Sequence, residues 1–169
     1  DLGVVDTQAA RWVEAARSLV HHTALPDVQP SGLVSAPRDY QMQGIRWLVL
    51  LWQLGLGGIL ADDMGLGKTL QTLALVDHAR SHGSAPFLVV APTSVVSAWA
   101  TEAARHTPGL DVRTVTASQA RRGTPLAAEV AGADLVVTSY TLLRLEADDY
   151  AALTWGGQVL DEAQTVKNH

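Results

Sequence analysis

An α/β domain built on a mainly parallel sheet is what the sequence predicts, on three observations. Short apolar runs, "GGIL" (57–60), "FLVVAP" (87–92), "VRTVT" (112–116), "DLVVTSY" (134–140) and "QVLDEA" (158–163), alternate with helix-like stretches at 68–82, 94–106, 124–131 and 140–147. The runs are continuously apolar, as expected of strands covered on both faces. A glycine-rich turn, "DDMGLGKT" (62–69), joins the first run to a helix. Alternation of this kind implies a parallel sheet with helices packed over it.

Ahead of the alternating region, residues 7–22 place Trp12, Ala15, Ala16, Leu19 and Val20 on one helical face, opposite Arg11, Glu14 and Arg17. Asp6 or Thr7 suits the N-cap. Residues 1–25 therefore read as an N-terminal helix, the tail of a preceding region. Three prolines, a glycine and serines punctuate the next stretch, so 26–37 reads as a linker. Residues 40–54, "YQMQGIRWLVLLWQL", are apolar nearly all round except for Gln43, Arg46 and Gln53, which predicts a largely buried helix. Residues 38–169 form one lobe on this reading.

Composition sets outer bounds. A hydrophobic content of 47% in 169 residues suits one packed, globular domain. No apolar run reaches the roughly 20 residues that span a bilayer, and no leader-like start is visible; a soluble, cytoplasmic protein is expected, nucleoid-associated if bacterial, with no membrane partner. The absence of cysteine excludes disulfides and thiolate metal sites. His21, His22, His78, His82 and His106 show no metal spacing, so no zinc is expected. The tryptophans fall mostly on apolar faces and read as core. A net charge of −5 weighs against nucleic-acid binding over the whole surface, though not against a local basic site. Ten of the 12 basic residues are arginine; the two lysines, Lys68 and Lys167, both fall inside motifs.

The first motif is the turn itself. The pattern G-x-x-x-x-G-K-[ST] asks for glycine at position 62 and finds Asp62. Strand, glycine-rich turn and helix are nevertheless what a phosphate cradle requires. Backbone N–H groups of Asp63, Met64, Gly65, Leu66, Gly67, Lys68, Thr69 and Leu70, with the positive end of the helix dipole, would surround nucleotide phosphates. Gly65 and Gly67 admit the anion without a Cβ in the way. Lys68 would reach the terminal phosphates and the Thr69 hydroxyl would ligate Mg²⁺.

Ninety residues on, "QVLDEAQ" (158–164) ends a strand in two acids. Adjacent carboxylates repel, so keeping both ionised favours a nearby cation, with Asp161 holding the metal and Glu162 polarising water as general base. Upstream, the Gln41 amide both donates and accepts, the chemistry that reads an adenine edge. Taken by itself, Gln41 reads more readily as an ordinary polar residue at a helix start.

Together these motifs resemble the first ATPase lobe of the Swi/Snf-type ATPases, a branch of the superfamily-two helicase-like proteins that translocate on double-stranded DNA. The resemblance runs from about Pro37 to Asn168. Its carriers are "RDYQMQGIRWL" (Q motif), "DDMGLGKT" (motif I), "LVVAPTSVVSAWATE" (motif Ia), "LVVTSYTLLR" and "LDEAQTVKN" (motif II). Motif I in that family looks like D-x-x-G-x-G-K-T, so Asp62 is expected there. The resemblance implies a three-layer RecA-like lobe, ATP and Mg²⁺ as cofactors, Gln41 on adenine, residues 65–69 on phosphates and metal, and Asp161 and Glu162 serving metal and water. It also implies that Pro92, Thr93, Ser94, Thr138, Ser139 and Tyr140 lie along a DNA backbone track; hydroxyls at helix starts suit phosphate oxygens, and helix capping explains them as well. Gln164 is a candidate to couple the nucleotide site to DNA or to the second lobe.

The expected function is an ATP hydrolase whose partners are double-stranded DNA and a second RecA-like lobe in cis, remodelling DNA–protein complexes. The isolated residues 1–169 are expected to be essentially inactive. The alternatives are another superfamily-two helicase or restriction translocase, or a nucleotide-gated scaffold acting on RNA polymerase. Two positions depart from the family pattern. Gln158 stands where motif II has an apolar residue, which suggests a short or edge strand. Arg121-Arg122 read as a solvated pair more readily than as a DNA contact.

Overall fold

The computed structural model describes residues 25–63 and 65–165. The helix expected at 7–22 lies outside the described residues, as do Met64, Lys167 and Asn168. From Asp39 the elements run α1 (Asp39–Gln53), α2 (Lys68–Ser81), β1 (Phe87–Ala91), α3 (Val96–His106), β2 (Val112–Val115), α4 (Gln119–Arg122), α5 (Leu126–Glu129), β3 (Leu135–Ser139), α6 (Tyr140–Leu145), α7 (Ala147–Ala151) and β4 (Gly157–Leu160), with a 3₁₀ turn at Ala163–Thr165.

The four strands form one sheet in the order β2-β3-β1-β4, and every pairing is parallel. Val89 lies opposite Val137 on one side and Val159 on the other. Alternation along the strands splits the core in two. Phe87, Val89, Ala91, Leu135 and Val137 join Ile45 and Val49 of α1, Leu73 and Val76 of α2 and Trp99 of α3. Leu88, Val90, Val115 and Val136 join Leu126 of α5 and Tyr150 of α7. The lobe is thus three-layered, helix over sheet over helix, as strands buried on both faces require. Because α2 ends at Ser81 and β1 starts at Phe87, α2 runs antiparallel to the strand. Its N-terminus therefore returns to the carboxyl edge of the sheet, where residues 92–95, 139–140 and 161–162 also emerge.

One expected strand does not form. Residues 57–60 carry no strand, and the sheet has four strands among the described residues, not five. Gly57 and Gly58 give a strand nothing to pack and lose more freedom on ordering, and Ile59 stays 86% exposed. Instead Gly58 lies against α1, where an added Cβ would meet Leu51 and Trp47. β4, four residues long and carrying Gln158, is accordingly an edge strand. The segment 26–37 has neither helix nor strand but is laid down on the lobe: Val28 is buried, Gly32 N–H donates to Asp77 Oδ2 at 2.8 Å, and Ser35 Oγ meets His106 Nδ1 at 2.6 Å.

Candidate nucleotide-binding site

The glycine-rich turn is shaped by its two glycines. Gly65 and Gly67 have φ of 85° and 82°, the left-handed region that residues with a Cβ avoid. A Cβ on Gly67 would also stand 2.4 Å from Gln41 Nε2. This close approach has a purpose: Gln41 Nε2 donates to Leu66 O at 3.0 Å while its Oε1 accepts from Arg38 N–H at 2.9 Å. Tyr40 Oη donates to the same Leu66 carbonyl at 3.3 Å. Gln41 is nearly buried and clamps the turn to the start of α1. Each end of its amide holds one protein partner, so an adenine would share that amide with the turn.

Lys68 is folded back on the loop, donating to Asp62 O at 2.6 Å and Asp63 O at 3.1 Å. These two carbonyls hold the ammonium where it sits. The side chain of Asp62 does something a glycine cannot: its Oδ2 accepts from Gln71 Nε2 at 3.1 Å. Gln71, one turn into α2, is fully buried, and its Oε1 has no hydrogen-bond partner among the described residues. Thr69 lies in the first turn of α2, half-buried, while Leu70 points into the core and Asp63 is exposed.

At the end of β4, Asp161 is fixed at three points. Its N–H donates to Val90 O at 2.8 Å, its carbonyl accepts from Tyr140 Oη at 2.8 Å, and its Oδ2 accepts from Trp99 Nε1 at 2.8 Å. Burial, with the Asp161 and Glu162 carboxylates, raises the Tyr140 hydroxyl above its ordinary pKa and keeps it a donor. Glu162 adopts φ 50°, left-handed for a residue with a Cβ, and Gln164 Nε2 donates to its Oε2. Backbone strain of this kind persists where surrounding contacts over-determine it, and it clusters at functional sites.

The hydroxyl-bearing segments fare differently. Thr93 and Ser94 are exposed in the turn before α3, whose N-terminal bend is closed by Val95 N–H to Pro92 O at 2.8 Å. Thr138 is fully buried, donating to Val115 O and accepting from Tyr150 Oη at 2.8 Å. Ser139 is 4% exposed and caps α6 by accepting from Leu142 N–H. The Thr138, Ser139 and Tyr140 hydroxyls are thus engaged inside the lobe. Arg122 is a correction: not a solvated residue, it pairs with Glu146 at 2.8 Å, their side chains 9% and 7% exposed, and also donates to Ala117 O and Thr124 O. Its neighbour Arg121 is exposed.

Sequence reasoning missed Trp99, Gln71 and the Arg122–Glu146 pair as polar actors. The spacing Val96, Trp99, Ala103, His106 marks the buried face of α3, but no local signal names the acceptor of the indole N–H. The Thr69 hydroxyl and the Asp161 and Glu162 carboxylates are oxygen donors of the kind a hard divalent cation takes. Among the described residues no cluster of three His, Cys, Asp or Glu could hold a metal ion. No helix among the described residues is long and apolar enough to cross a membrane.

Comparison with known proteins gives a consistent set of likenesses. A family model described as SNF2-related domain matches residues 40–169. A putative ATP-dependent helicase/translocase, YwqA of Bacillus subtilis, is 36% identical over 99% of this chain and 20% of its own length. The chromatin-remodeling ATPase INO80 of Arabidopsis thaliana is 39% identical over 78% of this chain and 9% of its own. The solved SWI2/SNF2 ATPase core of Sulfolobus solfataricus in complex with dsDNA superposes with a TM-score of 0.71 at 35% identity, covering 83% of this chain and 29% of that one. The chain thus spans about a fifth or less of these curated relatives.

Proposed function

The chain belongs to the SNF2-related family, and from that premise we propose that it is the first, ATP-binding lobe of a motor that hydrolyses ATP while moving along double-stranded DNA. The observation that carries this reading is the conjunction at one sheet edge of a left-handed glycine turn opening α2 and the Asp161–Glu162 pair ending β4. Neither alone specifies chemistry. Together they supply a phosphate cradle and the acids that phosphoryl transfer to water needs.

On this reading the N–H groups of residues 65–69 receive the phosphates, and Lys68 exchanges the Asp62 and Asp63 carbonyls for phosphate oxygens. Thr69 and Asp161 hold the cation. Mg²⁺, when bound, neutralises charge on the phosphates. Glu162 takes the proton from the attacking water, and its left-handed backbone fixes where the carboxylate stands. Thr93 and Ser94, exposed at the same edge, are the hydroxyls open to a DNA phosphate. A second RecA-like lobe in cis completes the cleft and the DNA track.

The test is ATP turnover by the full-length protein with duplex or single-stranded DNA added. Stronger stimulation by duplex is expected, and a preference for single strands would replace the duplex translocase with a strand-separating helicase.

A further inference from the structure

Trp99 makes a hydrogen bond that reaches from the core to the end of a strand. It is 3% exposed on α3 among Leu73, Val76 and Val89, and burial of the ring explains its presence there. A buried indole N–H must also find an acceptor. The acceptor is the side-chain carboxylate of Asp161, 62 positions later, at 2.8 Å.

The consequence for Asp161 is geometric. A lone carboxylate at a strand end turns freely about its side-chain bonds. Here the backbone is held by Val90 and Tyr140, and Oδ2 is held by a ring locked in the core. One oxygen is committed, and Oδ1 is left for another partner. A neutral donor on one carboxylate oxygen orients the group without cancelling its charge. Carboxylates that bind metals are commonly held by such partners, whose loss typically lowers metal affinity.

We infer that Trp99 is a positioning residue for the metal-binding carboxylate, its indole N–H presenting Asp161 to the cation that accompanies the nucleotide. This rests on the reading of Asp161 as a metal-holding residue. It gives α3 two duties at opposite ends of a short path: its first turn succeeds the exposed Thr93 and Ser94, and its second turn grips the metal carboxylate.

The experiment measures Mn²⁺ binding to the full-length protein with ADP by electron paramagnetic resonance, in four forms: the native protein, Trp99→Phe, a protein with 3-benzothienylalanine at position 99, and Asp161→Asn. The benzothienyl ring keeps the indole shape and replaces N–H by sulfur, so it guards against a Phe variant that simply packs badly. ADP affinity in EDTA reports the metal-free site, and Trp155→Phe, which removes a partly buried indole whose N–H donates to Tyr150 O, controls for losing an indole donor away from Asp161. Both position-99 changes are expected to weaken Mn²⁺ binding roughly 10- to 100-fold, with metal-free ADP affinity unchanged. Native Mn²⁺ affinity with the benzothienyl ring, while Asp161→Asn loses the metal, would overturn the role of Trp99. Native affinity in Asp161→Asn would overturn the metal reading of Asp161 and this inference with it.

Discussion

The carboxylate of Asp62 and the buried amide of Gln71 are joined by a hydrogen bond of 3.1 Å, and this bond explains why the turn does without glycine at its first position. It pins the entry of the turn to α2, while Gln41 pins its far end to α1 through Leu66 O. Replacing Asp62 by glycine restores the generic pattern and leaves Gln71 Nε2 buried with no carboxylate. The expected cost is about 1–3 kcal/mol, read from urea denaturation of the Asp62→Gly variant. Native stability in that variant would show the bond to be incidental.

Gly67→Ala is expected to weaken nucleotide binding by about tenfold or more, since a left-handed conformation costs an L-residue roughly 1–2 kcal/mol. The added Cβ also meets Gln41 Nε2 at 2.4 Å. Titration calorimetry with ADP measures the loss. Adding Gln41→Ala removes the collision but leaves the backbone strain and takes away the amide offered to adenine, so the double variant is expected to stay weak; full recovery would show that neither φ at Gly67 nor the Gln41 amide carries affinity.

The range of each interaction decides how much of the fold and the site was legible in the sequence. The glycine turn and the acid pair are local patterns, and the alternation of strands and helices gives the parallel sheet. The "GGIL" run has the composition of a buried strand up to its glycines, but whether a run pairs depends on what lies beside it, and Ile59 stays in solvent. Arg122 beside Arg121 reads as a surface step because its partner Glu146 lies 24 positions away. Trp99 reads as core, correctly, while the direction of its N–H is set by the register that brings β4 alongside β1. Thr138 and Ser139 suit a phosphate track or a helix cap on sequence alone, and the central position of β3 buries both.

The Arg122–Glu146 pair predicts an acid limb in stability. Burial raises the Glu146 pKa, but the Gln119 N–H and the Arg122 guanidinium outweigh it and hold the carboxyl below the ordinary range. A folded pKa below the unfolded value means that the unfolded chain takes up the proton first as pH falls. The stabilisation is therefore fully present above about pH 4.3 and is lost below it, through the folded pKa. Urea midpoints from pH 7 to pH 3 should fall less steeply for Glu146→Gln than for the native protein. Arg122→Ala, which strands a buried charge, should cost about 3–5 kcal/mol at neutral pH.

Glu162 allows backbone strain and catalysis to be separated at one position. Its φ of 50° is unfavourable for any residue with a Cβ, whereas hydrolysis needs its carboxylate. Alanine removes the carboxylate and keeps the strain; glycine removes both. Glu162→Gly is therefore expected to be more stable than Glu162→Ala by about 1 kcal/mol in thermal or urea unfolding. In the full-length protein both variants should lose at least about 10²-fold in ATP turnover, the usual contribution of a positioned general base, while still binding ATP. If the glycine variant is no more stable than the alanine one, the left-handed turn is not strained. If either variant hydrolyses ATP at the native rate, the base is another residue, and the conformation of Glu162 serves the turn after β4 alone.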